Sequence, residues 1–384
     1  MKKINEGCSK ETDECVSECC CGATVEQPNT LLIKKSKWIS GTVKTPSGDI
    51  PKVWTSLSKR DRLGSIIARW GINRMHYSVP PGLYAAGSPS PESPVFVSAN
   101  YKMSFDRLRK QLDGRDAWIL VLDTKGINVW CAAGKGTFGT DELLNRIKIT
   151  HLDKIVSHRR LVVPQLGATG VSAYKIRKAC GFRVIFGPVR VEDLPSFLDA
   201  GMKAQPEMRR VHFGLRDRIV LIPVELVGGG KYALLIAAVF ALIGGLSSSG
   251  YSFAKVLSAG VINASIVFGA FLCGTLLGPI LLPWLPGRAF SIKGAVLGIV
   301  LVGILAVFGL PGPGLFGSWL HLAAFAVMIP TLLSFIIMNF TGASTFTSLS
   351  GVMREMRFAV PIQITAAVIG VVLWFGGLFI NGGR

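Results

Sequence analysis

The spacing of apolar positions divides the chain into two halves. In the first half, short apolar runs alternate with amphipathic ones. Residues 94–99 (PVFVSA) form a β-rich run, followed by the amphipathic 104–112 (SFDRLRKQL). Residues 117–123 (AWILVLD) are almost continuously apolar, as expected of a strand covered on both faces. Residues 140–148 (TDELLNRIK) read as a helix with Thr140 as N-cap and Asp141 and Glu142 in its first turn. The alternation continues through 160–166 (RLVVPQL), the helix-like 170–180, 182–187 (FRVIFG) and 191–200. It predicts an α/β domain with a mainly parallel sheet, in which ligands bind at the carboxyl ends of the strands. Residues 80–94 (PPGLYAAGSPSPESP) read as a loop because five prolines interrupt them, and residues 1–40 as a polar tail.

The second half contains five apolar stretches near the ~20 residues that cross a bilayer. They are Tyr232–Gly250, Val256–Leu277, Ala289–Leu310, Trp319–Phe340 and Phe358–Ile380, which predicts an all-α membrane domain of five transmembrane helices. The N-terminus lacks the apolar core of a signal peptide. The resulting division is a cysteine-rich tail (1–40), an α/β domain (41–208), a basic juxtamembrane linker (209–231) and a transmembrane domain (232–384).

Charge sharpens this picture. Beyond Tyr232 the only basic residues are Lys255, Arg288, Lys293, Arg354, Arg357 and Arg384, and the only acid is Glu355. Lys231, Arg288, Lys293, Arg354 and Arg357 flank the spans on the side of the soluble half, against Lys255 and Arg384 on the other. This predicts a multi-pass protein of the cytoplasmic membrane with its α/β domain inside and its C-terminus outside. The net charge of +19 could suggest nucleic acid, but no basic helix interleaved with aromatics is present. Arg209, Arg210, Arg216, Arg218 and Lys231 stand just before the first span, where anionic membrane lipid attracts them.

Five of the eight cysteines, Cys8, Cys15, Cys19, Cys20 and Cys21, crowd the N-terminus in a spacing that fits no zinc or iron–sulfur pattern. They read either as exposed thiols on a polar tail or as a collector of soft metal ions. Cys180 and Cys273 lie on apolar helices and read as structural.

Cys131 stands in INVWCAAGKGTFG (127–139), just beyond the 117–123 strand. Gly134, Gly136 and Gly139 satisfy the dinucleotide fingerprint, but ten residues separate Asp123 from Gly134, and the P-loop pattern fails. A catalytic nucleophile would need a base, and none of His76, His151, His158 and His212 is tied to Cys131 by a recognisable pattern. A third reading makes the segment a short helix capped by Asn128, with Val129, Trp130 and Cys131 in its first three positions. A thiol there meets unpaired N–H groups and the positive dipole end, which favour the thiolate. Ala132, Ala133 and Gly134 would let a large flat ligand approach, with the sulfur as an axial ligand. A buried cysteine in an ordinary core helix is the alternative.

Residues 128–135 (NVWCAAGK) closely resemble the cap-helix motif of the mercury-methylating corrinoid protein family (HgcA). Residues 98–106 (SANYKMSFD), 164–171 (PQLGATGV) and 340–356 (FTGASTFTSLSGVMREM) also resemble segments of that family, as does the order of domains. The resemblance implies a Rossmann-like corrinoid-binding domain, similar to that of the corrinoid iron–sulfur proteins, ahead of the membrane helices. It further implies that Cys131 is the lower axial ligand of cobalt, with Asn128, Val129, Trp130, Ala132, Ala133, Gly134 and Lys135 around the corrinoid. Asn100, Gln165, Gly167, Thr169 and Gly170 would be further cofactor-binding residues. The implied activity is methyl transfer from the corrinoid to Hg(II), giving methylmercury. Because Hg(II) is an electrophile, the methyl group must leave as a carbanion or radical, which a trans thiolate promotes. The implied partners are a ferredoxin-like reductant with two [4Fe–4S] clusters and a folate-pathway methyl donor system. Cys19, Cys20 and Cys21 are candidates for Hg(II) capture, a role the family does not supply. The alternatives are a membrane-anchored methyl carrier for another acceptor, or a transporter whose Rossmann domain senses a nucleotide. Asn263, His321, Ser334, Gln363 and Thr365 interrupt the spans and read as interhelical hydrogen-bonding groups or functional ones.

Overall fold

The computed structural model describes residues 36–307, 318–340 and 349–380. The cysteine-rich segment with Cys8, Cys15, Cys19, Cys20 and Cys21, and residues 341–348 of the 340–356 stretch, lie outside the described residues.

The first half is an α/β domain around one seven-stranded sheet in the order β1-β2-β3-β5-β4-β6-β7. The strands are β1 (Ile39–Thr45), β2 (Gly48–Val53), β3 (Gly82–Ala86), β4 (Val95–Ala99), β5 (Ala117–Leu122), β6 (Arg160–Val163) and β7 (Arg183–Phe186). β4, β5, β6 and β7 form a parallel block, whereas β3 runs antiparallel to β5, and β1 pairs antiparallel with β2. The sheet is therefore mixed, with the expected parallel part at its centre.

Side chains alternate strictly between two cores. Val95, Val97 and Ala99 of β4 and Trp118, Leu120 and Leu122 of β5 point to one face, covered by α3 (Val129–Gly134), α4 (Thr140–Ile149), α5 (Leu152–Ile155) and α6 (Ala173–Cys180). Phe96 with Ile119 and Val121 point to the other, covered by α2 (Lys102–Gln111) and α7 (Leu194–Asp199). Each fully buried Leu, Ile or Phe contributes about 1.5–3 kcal/mol. Double coverage is why β5 carries an unbroken apolar run.

Three expectations need correction here. The proline-flanked 80–94 segment is not simply a loop, because β3 lies inside it with Leu83, Tyr84, Ala85 and Ala86 buried. Its prolines lie outside the strand, at positions 80, 81, 89, 91 and 94, so no ladder hydrogen bond is lost. The tail assigned to 1–40 overlaps β1 and Trp38, whose ring packs 5.3 Å from Phe105 and 5.5 Å from Tyr84. The cap of α4 is Gly139, not Thr140, and the Thr140 hydroxyl instead accepts from Ser172 N–H at 2.9 Å. Distant contact outbids the local cap.

Among the described residues, the second half has five helices long and apolar enough to cross a membrane. Helix α1 (Lys59–Arg69) belongs to the α/β half, between β2 and β3; after the short α8 (Leu215–Ile219) come α9 (Ile222–Ile243), α10 (Phe253–Leu281), α11 (Phe290–Val307), α12 (Trp319–Asn339) and α13 (Leu349–Ile380). Helix α9 begins ten residues before Tyr232, so much of the segment read as a 209–231 linker is helical. Gly228, Gly229 and Gly230 do not break it. Arg218 is also not a lipid-facing cation: it is 4% exposed and donates through Nη1 to the carbonyls of Pro279 (3.0 Å) and Ile280 (2.9 Å), closing the end of α10. Helix α12 is the hub. Gly278 of α10, Gly294 and Gly298 of α11 and Gly370 of α13 all abut it so closely that a Cβ on any of them would strike its atoms. Small residues at such crossings let helix backbones meet, which is how membrane helices pack.

Candidate functional site

Three of the segments singled out by motif converge at the carboxyl edge of the parallel strands. Asn100 follows β4, Asp123 to Asn128 follow β5, and Pro164 to Gly170 follow β6. The chain leaves β4 for α2 on one face, and leaves its neighbours β5 and β6 for α3 and α6 on the other. This divergence opens the crevice in which doubly wound sheets bind ligands.

Helix α3 occupies that edge. Asn128 is its N-cap, with extended backbone and a side chain that accepts Cys131 N–H at 2.9 Å. The expected helix and cap are both present, and the cap takes up the N–H of Cys131 itself. Ala132 and Ala133 are buried beneath the helix, while Val129, Trp130 and Cys131 are half-buried and Gly134, Lys135 and Gly136 are exposed. A Cβ added at Gly134 or Gly136 would meet no atom within 4 Å. The outer side of α3 is therefore open and low, with a sulfur at its margin.

The loop that delivers α3 is braced by Asn100, itself 6% exposed. Its Oδ1 accepts from Thr124 N–H (3.1 Å), the Thr124 hydroxyl (2.8 Å) and Gly126 N–H (3.0 Å), and its Nδ2 donates to Asp123 Oδ1 (3.3 Å). Gly126 is left-handed (φ +71°), and a Cβ there would lie 2.8 Å from the Met75 carbonyl oxygen. Only glycine fits. Burial pushes the Asp123 carboxyl up, but hydrogen bonds and charge from Lys125 outweigh it and hold the group below its usual value.

Gly167 and Gly170 lie on the inner side of α3. A Cβ at Gly167 would reach within 2.5 Å of the Phe138 ring, and one at Gly170 within 3.2 Å of Ala133 Cα. Their smallness seats the β6 loop against the helix. Gln165 is half-buried and accepts from Arg209 Nη1 at 3.1 Å, and Thr169 is exposed. Gly134 and Gly136 close α3 rather than follow a strand, so they do not form a phosphate-binding βα turn. Cys180 donates to the Ile176 carbonyl at 3.2 Å and packs at the core edge, and Cys273 packs in the membrane core. The brace by Asn100 and the packing of Phe138 against Gly167 have no local signature, since each joins residues far apart in sequence.

Residues 71–198 match the family described as CO dehydrogenase/acetyl-CoA synthase delta subunit. Among curated proteins, the chain is similar to the acetyl-CoA decarbonylase/synthase complex subunit gamma of Archaeoglobus fulgidus, with 30% identity over 165 residues, 41% of this chain and 34% of the relative. The corresponding subunit of Methanopyrus kandleri is 32% identical over 123 residues, 32% of this chain and 26% of the relative. The corrinoid/iron-sulfur protein large subunit of Moorella thermoacetica is 26% identical over 118 residues, 30% of this chain and 26% of the relative. The chain thus spans about a quarter to a third of the length of the curated relatives it matches. The family match contains α3, its Asn100 brace and the β6 loop, so the α/β half is similar to a domain of corrinoid/iron-sulfur proteins.

Proposed function

We propose that this chain is a membrane-embedded, corrinoid-dependent methyltransferase that passes a methyl group to Hg(II), with the Cys131 sulfur as lower axial ligand of cobalt. One observation carries the reading. Cys131 stands half-buried on a capped helix at the carboxyl edge of the sheet, beside glycines with open space above them, in a segment similar to corrinoid/iron-sulfur proteins.

The residues present fit a large planar group. The buried Ala132 and Ala133 keep α3 low against the sheet, and Gly134 and Gly136 add no side chain to its outer side. A bound corrinoid would supply a cobalt-held methyl group, whose reactivity the protein tunes through the identity of the axial ligand. Cys131 contributes a soft, electron-donating sulfur, suited to an electrophilic acceptor such as Hg(II). Asn128 fixes the helix start that carries it, and Asn100 fixes the loop before Asn128. Lys135 is exposed at the rim, placed for a polar substituent of the ligand. The same reading takes an iron–sulfur protein as reductant, a folate-linked methyl donor, Hg(II) delivery by Cys19, Cys20 and Cys21, and a cytoplasmic α/β half.

A second reading has its own support. Two of the relatives named above are acetyl-CoA decarbonylase/synthase subunits and the third is a corrinoid/iron-sulfur protein subunit, which supports a methyl carrier for a different acceptor using the same site. One experiment separates the two. The purified full chain is loaded with cobalamin, reduced, methylated and given Hg(II), with absorption spectra and methylmercury followed together. The proposal expects a coloured protein, methylmercury, and loss of both the sulfur–cobalt spectrum and the product in Cys131→Ala. A coloured protein that yields no methylmercury favours the carrier, and a colourless one overturns both readings.

A further inference from the structure

The membrane half contains a partly open cavity of about 890 Å³ lined by α9, α10, α12 and α13. It shares no residue with the α3 site. Its size lies in the range of small-molecule sites, roughly 300–1,000 Å³, and, apart from Tyr232 and Thr331 midway along their helices, its polar lining gathers toward one end. Glu225 opens α9, Asn339 closes α12, and Thr275 lies near the end of α10, so these polar groups share the end nearest the α/β domain. Phe240, Phe325 and Val371 line the opposite, apolar end.

Two groups at the polar end are unusual. Gln363 is 7% exposed and donates through Nε2 to Ser334 Oγ at 2.8 Å, while its Oε1 has no hydrogen-bond partner among the described residues. Thr275 is 2% exposed, and its hydroxyl likewise has none. A buried polar atom without a partner costs about 1–3 kcal/mol, and both residues face the cavity. Two such costs in one wall, beside a space of ligand size, indicate partners supplied from within that space.

We infer that this cavity binds one uncharged amphiphile whose hydroxyl-bearing head donates to Gln363 and Thr275 and whose apolar chain extends toward Phe240 and Val371. The head must donate, because the free atom of Gln363 is a carbonyl oxygen and Glu225 adds a second acceptor. It is not a phosphate, because Glu225 lines the cavity and neither Lys nor Arg does so among the described residues. Hydroxyl heads of this kind occur on acylglycerols and on isoprenoid quinols, and the test separates these sources.

The full chain, purified in detergent and stripped of lipid, is titrated with monooleoylglycerol, with a reduced menaquinone and with phosphatidylglycerol, and occupancy is read by native mass spectrometry. One of the two hydroxyl probes saturates at one per chain, identifying the source, and phosphatidylglycerol does not displace it. Gln363→Leu weakens that binding about tenfold, the equivalent of one lost hydrogen bond. Thr275→Val weakens it severalfold while leaving the Gln363–Ser334 bond in place. Melting of the unliganded variants separates lost binding from misfolding. Thr275→Val removes only an unpaired buried hydroxyl and leaves the empty protein at least as stable. Gln363→Leu also loses the Ser334 bond and is read only where its melt stays cooperative. Saturation by neither hydroxyl probe, equal binding of phosphatidylglycerol, or unchanged affinity in both folded variants overturns the inference.

Discussion

Asn100 and Thr124, at the ends of adjacent strands, are bonded twice: Asn100 Oδ1 accepts both the backbone N–H (3.1 Å) and the hydroxyl (2.8 Å) of Thr124. The same oxygen accepts Gly126 N–H, so one side chain satisfies three donors of the loop that leads into α3. Asn100→Leu strands those donors in a buried place and is expected to destabilise the α/β half by about 2–4 kcal/mol. Asn100→Asp keeps the acceptor but replaces the donor to Asp123 with a second carboxylate oxygen, so it is expected to recover only part of the loss at neutral pH. Chemical denaturation of the full chain, followed by the fluorescence of buried Trp118, measures both.

The Asn128 cap makes a more local prediction. Asn128→Ala removes the acceptor for Cys131 N–H and is expected to cost about 1 kcal/mol, while Asn128→Ser retains most of the stability. Amide hydrogen exchange at Cys131 reads this directly, accelerating in the alanine variant and staying slow in the serine one. If exchange at Cys131 is unchanged in Asn128→Ala, the cap does not hold the helix.

Asp61 anchors an ionic cluster on the opposite face of the sheet. It lies 2.7 Å from Lys102 Nζ and 3.0 Å from Arg109 Nη2, and Asp106 bonds the same two cations. Burial pushes the Asp61 carboxyl up, but hydrogen bonds from Lys102 and Ser58 and the nearby positive charges overcome it and hold the group well below the carboxylate range. A lowered folded value means that the stabilisation is complete above the unfolded value near 4 and is lost as pH falls below it. Melting temperature is therefore expected to drop from about pH 4 downward, with a shallower slope in Asp61→Asn. An identical slope in that variant would falsify this role.

Arg109 is fully buried and also donates to the Trp54 and Ser56 carbonyls. Arg109→Met leaves Asp61 and Asp106 without one of their two cations and is expected to cost about 3–5 kcal/mol, with much of the domain unfolded at 37 °C. Circular dichroism melts test this.

In the membrane half, a Cβ at Gly298 would stand 2.8 Å from the backbone nitrogen of Pro330. Gly298→Leu is expected to part α11 from α12 and lower the melting temperature in detergent by several degrees. Gly303→Ala, on the same helix with open space around it, is expected to be neutral or slightly stabilising. Equal melting of the two variants would argue against glycine-mediated packing.

Features set by neighbours in sequence were legible without the structure. The unbroken apolar run of β5, the amphipathic α2 and α4, the membrane-length apolar stretches and the Asn128–Cys131 cap each depend on residues within a few positions of one another, or on a simple periodicity. The corrections have the opposite origin. The 82–86 stretch becomes a strand only because β5 offers it a hydrogen-bonding edge, and Thr140 gives up its cap to hold Ser172. Arg218 leaves the lipid surface because the carbonyls of Pro279 and Ile280 need donors.

From its sequence alone, this protein is an α/β domain followed by five apolar helices, with a capped cysteine helix beyond a central strand. Periodicity and capping are short-range effects and need no partner to be read. Tertiary structure alone decided that Asn100 braces that helix, that α12 is the hub of the bundle, and that Gln363 and Thr275 face one cavity. Such relations depend on which distant backbones meet, and no local pattern encodes that choice.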